Sequence, residues 1–402
     1  MPTPLQGRHI ALGVTGSIAA YKALDLASKL IQANATVVAM LTDGATRFVS
    51  PLAFAAITHR PAVTDLYDPQ SELGIDHVAL AEQADLVIVA PATANTLAKM
   101  AHGLADGPVT TTLLATAAPV LVAPAMDAHM FDHPATQDNL AILRERGVYV
   151  AGPVSGRMAS GLVGTGRMVE PADLVGHARL ILGLTGDLSG RRLVVTAGGT
   201  EEAIDPVRVI TNHSSGKMGY AIAEAARDRG ASVTLVAAPN SLPDPVGVSV
   251  VRVTSAADMG SAVTSAVENT DALVMAAAVS DWTPADVSPH KAKKGSSDSI
   301  TLELKKTEDI LASLSSPGLV KVGFAAETEG LERNARAKLT GKGLDLVVAN
   351  DVTDPGSGFG SDDNRVTLIG RDGEAERLPK MAKYEVGHRI LDRVAAILTQ
   401  RP

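Results

Sequence analysis

Small and polar residues stand where an apolar run of the chain passes into an amphipathic one. GVTGSIAAYK, residues 13–22, has this character. Such a segment turns a strand into a helix, whose free N–H groups and positive dipole end suit a phosphate, and Ser17 and Lys22 can add contacts. It lacks the GxGxxG pattern and so does not indicate a dinucleotide. The alternative interpretation is an ordinary tight turn.

A second segment of this kind is NHSSGKMG, residues 212–219. It departs from the P-loop pattern, because Thr211 replaces the first glycine and Met218 follows Lys217. Ser-Ser-Gly-Lys at a helix start can still bind an anion. GLVGTG, residues 161–166, follows no predicted strand and opens no predicted helix, so it does not predict a dinucleotide site.

Histidines and lysines are the remaining candidates from residue type alone. His129 and His133 have the spacing of two metal ligands on a helix, but no third ligand accompanies them, which favours solvated side chains. His77 precedes an apolar run and by itself suggests a structural role more than a catalytic one. Lys338 and Lys342 share one face of a predicted helix. These lysines either neutralise a polyphosphate or form a solvated face, and the spacing leaves both open.

The elements that must position these residues follow two rounds of one pattern. The chain has 402 residues, 46% hydrophobic and 20% charged, which fits two or three folded domains. Near-continuous apolar strands alternate with amphipathic helices, and this indicates parallel sheets covered on both faces. The pattern restarts near residues 183–190, so two α/β domains are expected. Residues 152–168 and 283–300 are predicted to be loops.

Composition excludes several classes of protein. The net charge of −8 and 3% aromatic content argue against a general nucleic-acid binder. The absence of cysteine removes disulfides, thiolate metal sites and a cysteine nucleophile. The first ten residues have no apolar signal-peptide core, and no apolar run is long enough to span a bilayer. A cytoplasmic protein without a membrane or nucleic-acid partner is therefore expected.

Several longer segments together resemble one family over essentially the whole chain: the bacterial bifunctional proteins of coenzyme A biosynthesis, which join a phosphopantothenoylcysteine decarboxylase to a phosphopantothenate–cysteine ligase. The segments are GVTGSIAAYKALDL, DHVALAEQADLVIVAPATANTLAKMAHGLAD, LVAPAMDAHM, LVVTAGGTEEAIDPVRVITNHSSGKMGYAIA, MAAAVSDWTPADVSPHKAKK, GFAAET and DLVVAND. The resemblance implies an α/β chain with a flavodoxin-like, three-layer decarboxylase domain at 1–186. A Rossmann-like α/β ligase domain follows at 187–402.

For the first half, the resemblance implies FMN at the carboxyl ends of the strands. The reaction oxidises the cysteine moiety of the substrate to a thioaldehyde, which eases loss of carbon dioxide, and then returns the electrons. His77 matches the active-site histidine of the family. The residues that match the flavin contacts are Gly16, Ser17, Thr42, Ala90, Pro91, Thr93, Asn95, Ala125 and Met126.

Two positions depart from the family pattern in this half. Asp127 stands where the family has an asparagine that grips the substrate, and an ionised carboxylate has only acceptors. Ser160 stands where many members have a proton-donating cysteine, and an alcohol is a far weaker acid than a thiol. These departures leave an alternative open: an active ligase joined to an impaired or scaffold-only flavin domain.

For the second half, the resemblance implies activation of 4′-phosphopantothenate by CTP to an acyl-cytidylate, followed by attack of the cysteine amine. Asn212 and Lys291 would hold and polarise the acyl-cytidylate, and Arg208 would meet the substrate. Mg²⁺ would accompany the triphosphate, without a dedicated protein cage. The residues that match the CTP contacts are Met275, Ala276, Ala277, Asp281, Lys291, Thr307, Glu308, Asp309, Ile310, Phe324, Lys338 and Lys342.

The partners implied are small molecules (4′-phosphopantothenate, cysteine and CTP) and further copies of the chain. The family pattern is a homo-oligomer in which trimers of the flavin domain are linked through dimers of the ligase domain, and such an arrangement closes as a dodecamer.

Overall fold

A computed structural model describes the chain in seven stretches: residues 3–66, 76–158, 161–291, 301–314, 316–327, 330–351 and 360–401. The chain separates into two compact units, one up to residue 182 and one from residue 183 onward.

The first unit is built on a parallel sheet. Its strands are β1 (His9–Val14), β2 (Thr36–Leu41), β3 (Leu86–Ala92), β4 (Val120–Pro124) and β5 (Tyr149–Val150), and a separate antiparallel pair consists of β6 (Val154–Arg157) and β7 (Val163–Arg167). The strand order β2-β1-β3-β4-β5 is that of flavodoxin-like sheets. In this order the chain reverses direction across the sheet between β1 and β3, which opens a crevice at their carboxyl ends.

Helices cover both faces of this sheet. They are α1 (Tyr21–Gln32), α2 (Asp43–Thr46), α3 (Pro51–Thr58), α4 (Asp76–Gln83), α5 (Ala94–His102), α6 (Pro108–Ala115), α7 (Ala128–Asp132), α8 (Pro134–Glu145) and α9 (Pro171–Gly183), with a 3₁₀ turn at Ile18–Ala20. Alternate residues of β1 face opposite layers: Ile10 and Leu12 pack with α1, α3 and α9, whereas Ala11 packs with α4, α5, α6 and α8. The predicted three-layer arrangement is confirmed.

The predicted loop at 152–168 contains an antiparallel hairpin. Strands β6 and β7 pair from Val154 with Arg167 to Arg157 with Val163. The prediction of an irregular loop was wrong because the glycines of this segment interrupt the apolar alternation by which a strand is recognised. Gly164 and Gly166 allow the hairpin to approach the loop after β4 closely.

The second unit contains a larger sheet. The strands of this unit are β8 (Arg192–Ala197), β9 (Glu201–Ala203), β10 (Val209–Thr211), β11 (Ser232–Ala237), β12 (Ser249–Arg252), β13 (Ala272–Met275), β14 (Trp282–Pro284), β15 (Leu304–Lys306), β16 (Val320–Glu327), β17 (Leu346–Asp351), β18 (Asp363–Asn364), β19 (Val366–Gly370), β20 (Ala375–Arg377) and β21 (Met381–Ala382). The main sheet runs β12-β11-β8-β13-β16-β17-β19-β20. Its first six strands follow the Rossmann order, and the order reverses between β8 and β13.

Helices cover both faces of this sheet as well. They are α10 (Lys217–Arg227), α11 (Ala256–Ala266), α12 (Ile310–Ser313), α13 (Leu331–Gly341) and α14 (Lys383–Gln400). Leu193 and Val195 of β8 pack with α10 and α14, whereas Val194 packs with α11 and α13. The sequence therefore alternates between two cores along one buried strand. Among the described residues, no helix has the length and apolar character needed to cross a membrane.

Candidate functional site

Two adjoining clefts open at the carboxyl edge of the first sheet. The Thr42 cleft, of about 620 Å³, is bordered by Thr42, Asn95 and Lys99 among others. The Asp127 cleft, of about 500 Å³, is bordered by Ser17, Met126 and Asp127 among others. Gly16, Thr93, Ala94 and Met130 border both. They lie where the strand order reverses, which is where ligands bind in open α/β sheets.

Glycine is required where the loops after β1 and β2 meet. A Cβ on Gly16 would lie 2.9 Å from the carbonyl carbon and Cα of Gly44. Both are backbone atoms, so a larger residue at position 16 would push the two loops apart. Gly16 borders both clefts, and Gly44 borders the Thr42 cleft.

Hydroxyl groups fix the ends of the strands and helices around these clefts. The Thr15 hydroxyl donates to the Pro91 carbonyl at 2.8 Å and accepts the N–H of Thr93 at 3.1 Å. Thr93 in turn caps α5, and Thr42 caps α2 by accepting the N–H of Ala45. The Ser17 hydroxyl accepts the N–H of Ala19. Each capping residue leaves other N–H groups of its first turn free for a ligand.

The structure brings most of the predicted flavin contacts to these clefts, but not all of them. The ones that line a cleft are Gly16, Ser17, Thr42, Thr93, Asn95, Ala125 and Met126. Ala90 and Pro91 are buried inside β3 and border neither cleft.

Hairpin β6–β7 forms one wall of the Asp127 cleft. The N–H of Met126 donates to the Gly166 carbonyl at 2.9 Å. A Cβ on Gly166 would lie 2.3 Å from the Met126 carbonyl oxygen, and one on Gly164 would lie 2.8 Å from the Ala128 Cβ. The hairpin thus docks through glycine backbone against the loop that carries Asp127. Ser160 lies outside the described residues.

Charged groups surround the Asp127 cleft. Asp127 is half-buried, and its Oδ1 accepts the N–H of His129 at 3.1 Å. The buried Lys22 donates to Glu170 at 2.8 Å, and Arg167 contacts the same carboxylate at 2.8 Å. These contacts, with the hydrogen bond from Lys22 the strongest, hold the pKa of Glu170 below its usual value. Arg157 also borders the cleft.

His77 lies near the start of α4 and does not border either cleft of its own chain. Its Nδ1 is buried and has no hydrogen-bond partner among the groups described here. His129 and His133 are exposed, and His133 caps α8 through Nδ1.

The second unit also carries two adjoining clefts, at the edge where its strand order reverses. The Asp309 cleft, of about 470 Å³, is bordered by Met275, Lys306 and Asp309 among others. The Asn212 cleft, of about 360 Å³, is bordered by Asn212, Lys217 and Lys383 among others. Ala277, Val279, Asp281, Phe324 and Lys338 border both.

Lys338 lies in the last turn of α13 and Lys342 is the residue that follows the helix, and both border the Asp309 cleft. The Lys338 ammonium donates to the Phe324 carbonyl at 2.6 Å, and Lys342 lies 2.8 Å from the Asp309 carboxylate. Burial alone would raise the pKa of Asp309, but the hydrogen bonds from Lys342 and from the Ala312 N–H hold it below its usual value. Asp309 is therefore an anion that keeps a cation beside the cleft.

The paired strands β14 and β15, with the residues next to them, form another side of the Asp309 cleft. The Thr307 hydroxyl donates to the Ser280 carbonyl at 2.6 Å, and its N–H donates to the Asp281 carbonyl at 3.0 Å. Lys306 lies 6.0 Å from the ring centroid of Trp282. The predicted CTP contacts that line this cleft are Met275, Ala277, Asp281, Thr307, Glu308, Asp309, Ile310, Phe324, Lys338 and Lys342. Lys306 and Trp282 were not predicted, although an exposed lysine beside an aromatic side chain is a signal for a ligand face.

Asn212 and Ala276 border the second of these clefts. The Asn212 amide donates to the Ala278 carbonyl at 2.8 Å, which ties its loop to the segment after β13. The Ala277 N–H donates to the Thr196 hydroxyl at 3.0 Å. The ends of β8 and β13 are thereby fixed to each other and to Asn212.

Two lysines of the Asn212 cleft were absent from the predicted site. Lys217 contacts Asp362 at 2.7 Å, and the buried Lys383 donates to the Ser361 carbonyl. Burial, followed by repulsion from Lys217, holds the pKa of Lys383 below its usual value. The SSGK segment pointed to Lys217. No sequence motif indicates that Lys383 is a site residue. It is the first residue of the amphipathic helix α14.

Two predicted residues lie outside these clefts. Lys291 is exposed and borders neither cleft. Arg208 contacts Asp205 at 3.1 Å and is likewise not a lining residue. Within the described ranges, no group of three His, Cys, Asp or Glu side chains has the arrangement of a metal site.

Two family models match the chain, one for each unit. The model described as "Flavoprotein" matches residues 1–181. The model described as "DNA/pantothenate metabolism flavoprotein C-terminal domain" matches residues 188–398. The first unit has a flavodoxin-like sheet with a polar crevice, and the second has a Rossmann-ordered sheet with a lysine-rich crevice. Together they define the class of the protein: a two-unit α/β flavoprotein.

Similar proteins cover the chain end to end. The coenzyme A biosynthesis bifunctional protein CoaBC of Bacillus subtilis is 48% identical over 401 residues, covering 98% of each chain. That of Vibrio cholerae is 46% identical, covering 96% of this chain and 98% of its own. A crystal structure of a C-terminal domain of CoaBC is 41% identical, with a TM-score of 0.47, covering 54% of this chain and 99% of that one.

The chain belongs to the family of coenzyme A biosynthesis bifunctional proteins CoaBC. It is an enzyme that combines a decarboxylase and a ligase activity.

Proposed function

We propose that the chain converts 4′-phosphopantothenate, cysteine and CTP into 4′-phosphopantetheine. Residues 187–402 would carry the CTP-dependent ligation and residues 1–186 the FMN-dependent decarboxylation. The observation that carries the proposal is the pair of crevices at the two points of strand-order reversal, in a chain similar to CoaBC over 98% of its length. Because that similarity spans both units, an impaired flavin unit is the less favoured alternative.

The Thr42 and Asp127 clefts have the character of an FMN site. The close Gly16–Gly44 approach fixes the two loops that border the clefts, and Ser17, Thr42, Thr93 and Asn95 supply polar groups. We assign the phosphate end to Gly16 and Ser17, and the ring to the region of Ala125 and Met126, with Ala90 and Pro91 behind it. When bound, FMN would take up and return the electron pair of the reaction.

The residues of the chain would then bind the substrate and handle protons. We assign a proton-transfer role to His77, because it matches the active-site histidine of the family and no described group satisfies its Nδ1. We place Asp127 in the substrate cleft. A proton-donating role for Ser160 is proposed from the sequence alone, and its hydroxyl is a poor substitute for the thiol that many members of the family have there. Water, or a protonated Asp127, would be the other sources of the proton.

In the second unit, charge neutralisation is the main requirement. Lys338 and Lys342 lie beside the cleft that we assign to CTP, and Lys306 adds a third cation there. Such fixed cations stabilise the charge that develops when the carboxylate attacks the α-phosphate and pyrophosphate leaves. We propose that Mg²⁺ enters with CTP, held mainly by phosphate oxygens.

We assign the acid and its acyl-cytidylate to the Asn212 cleft. Asn212 would hold the acyl group, and Lys291 would polarise it for attack by the cysteine amine. Arg208 would contact the substrate. Lys291 and Arg208 lie outside the clefts of this chain, so both assignments require either movement or a second copy.

We propose a homo-oligomer, a dodecamer of flavin-unit trimers and ligase-unit dimers. Both units expose large apolar side chains, such as Leu52 at 76% and Val207 at 62%, which further copies would cover. Light scattering of the full chain measures the size directly. A monomer would contradict the proposal. We also propose a cytoplasmic location, which cell fractionation tests.

The test of the function is a product analysis of the purified full chain. Incubation with 4′-phosphopantothenate, cysteine, CTP and Mg²⁺ should yield 4′-phosphopantetheine and carbon dioxide, identified by mass spectrometry. Accumulation of 4′-phosphopantothenoylcysteine alone would establish the ligase and support the impaired flavin unit. Formation of neither product, with flavin and CTP both bound, would overturn the proposal.

A further inference from the structure

In the Asp127 cleft, a carboxyl group of the protein lies where we expect a carboxylated substrate to bind. A decarboxylase must bind a substrate that carries a carboxylate, and Asp127 places a second carboxyl group in the same cleft. As an ionised group, Asp127 offers no donor to that substrate and repels it. Its Oδ1 accepts the N–H of His129. This step rests on the proposed decarboxylase function.

The wall of the cleft that hairpin β6–β7 forms carries a cation. Arg157 ends β6 and borders the cleft together with Met158 and Asp127. Its hairpin is held on the Asp127 loop by the Met126–Gly166 hydrogen bond and by the glycine contacts. The backbone of Arg157 is therefore positioned by strand pairing and by glycine contacts, not by side-chain contacts.

The other cations near this cleft are already engaged. Lys22 and Arg167 both contact Glu170. Arg157 is exposed, and no residue in the described ranges forms a hydrogen bond or an ion pair with its guanidinium. Among the described residues none of its five donors is used, and a guanidinium binds a carboxylate in two parallel hydrogen bonds.

We propose that Arg157 binds the substrate carboxylate and thereby selects the carboxylated substrate over the decarboxylated product. It acts in binding only: the bond from carbon to the carboxylate breaks, the electron pair stays on the substrate, and carbon dioxide leaves. The product then lacks the charge that Arg157 holds and is bound more weakly, which favours its release.

The test compares two ligands that differ only in the carboxylate. 4′-Phosphopantothenoyl-alanine has the carboxylate of the substrate but no thiol, so it cannot be oxidised. The corresponding ethylamide lacks the carboxylate. Dissociation constants are measured by calorimetry on the FMN-loaded full chain. Wild type should prefer the carboxylated ligand by about ten- to a hundredfold, as expected for a bidentate charge-assisted pair.

Arg157→Gln should abolish most of this preference, and Arg157→Lys should retain part of it. Arg60→Gln is the matched control, since it removes one exposed arginine of the same unit that borders neither cleft. Asp127→Asn should raise the affinity for the carboxylated ligand by removing the repulsion. Turnover by the Arg157→Gln variant should show a raised KM with a smaller change in kcat.

An unchanged preference in Arg157→Gln would overturn the proposal, and so would an equal loss of affinity for both ligands, which would place Arg157 on the phosphate or the flavin. If wild type binds neither ligand and releases no carbon dioxide from 4′-phosphopantothenoylcysteine, the decarboxylase function itself fails. If wild type turns over normally and Arg157→Gln keeps the ligand preference, the Arg157 proposal fails while the decarboxylase function stands.

Discussion

The Lys342 ammonium lies 2.8 Å from the Asp309 carboxylate at the edge of a cleft in the second unit. The pair is partly exposed, so it contributes little to stability. Its importance is local, because Asp309 holds a cation beside the space that we assign to the triphosphate. Neighbouring lysines therefore offer a direct test of that assignment.

Lys306→Gln is expected to raise the KM for CTP by about three- to tenfold, since it removes one cation from the Asp309 cleft. Lys305→Gln is the matched control. The two residues are neighbours on β15, where successive side chains point to opposite faces, and only Lys306 borders the cleft. Steady-state kinetics with varied CTP measures the effect. Equal KM values for the two variants would remove Lys306 from the CTP site.

Gly16→Ala is expected to lower the flavin content of the purified protein at least tenfold. The added Cβ would meet the backbone of Gly44 and separate the two loops that wall the clefts. Gly107→Ala serves as control, because Gly107 borders the Thr42 cleft but a Cβ there meets nothing within 4 Å. Flavin absorbance per protein is the measurement, and full flavin content in Gly16→Ala would contradict the assignment.

His77→Asn is expected to stop decarboxylation and to leave ligation unchanged. The residue borders no cleft of its own chain, yet its buried Nδ1 has no described partner. Carbon dioxide release and pyrophosphate release from the same preparation separate the two activities. Normal decarboxylation by this variant would make His77 a structural residue.

Lys291→Gln is expected to abolish CTP-dependent ligation while flavin remains bound. Lys291 is exposed at a position from which it can approach a bound ligand only by movement or from a second copy. Pyrophosphate release, with flavin absorbance as the internal control, reports the result. Ligation at the wild-type rate would remove Lys291 from the reaction.

Asp187→Asn is expected to destabilise the second unit by about 1–3 kcal/mol at pH 7. Arg229, with a side chain only 4% exposed, donates to both Asp187 oxygens. Burial alone would raise the pKa of Asp187, but these hydrogen bonds lower it. A lowered pKa in the folded state means that the stabilisation is present above the unfolded value, which the aspartate reference places at 3.8. It is lost as the pH falls through the lower, folded value.

Urea unfolding followed by Trp282, the one tryptophan of the sequence, reports on the second unit. The stability difference between wild type and Asp187→Asn should be full at pH 7 and should shrink below about pH 4. A difference that does not change with pH would contradict the ion-pair explanation.

The sheets were predictable because buried parallel strands read as apolar runs, and β8 and β13 illustrate this directly. Hairpin β6–β7 was not predictable, because its glycines contact the Asp127 loop through backbone and leave no apolar pattern in the sequence. Helical spacing predicted that Lys338 and Lys342 lie near each other, and the family resemblance implied their role at CTP. Lys383 could not be found, since only the tertiary fold brings the start of α14 to the Asn212 cleft.

Lys338, Phe324, Ala277 and Asp281 border both clefts of the second unit. An acyl-phosphate anhydride is short-lived in water, and one released into solvent would waste a nucleotide for each molecule hydrolysed. With a common wall, the activated acid would form at the boundary of the two clefts and need not travel before the amine reaches it. On the site assignments proposed above, the shared wall would raise the effective molarity of the amine and limit futile CTP consumption.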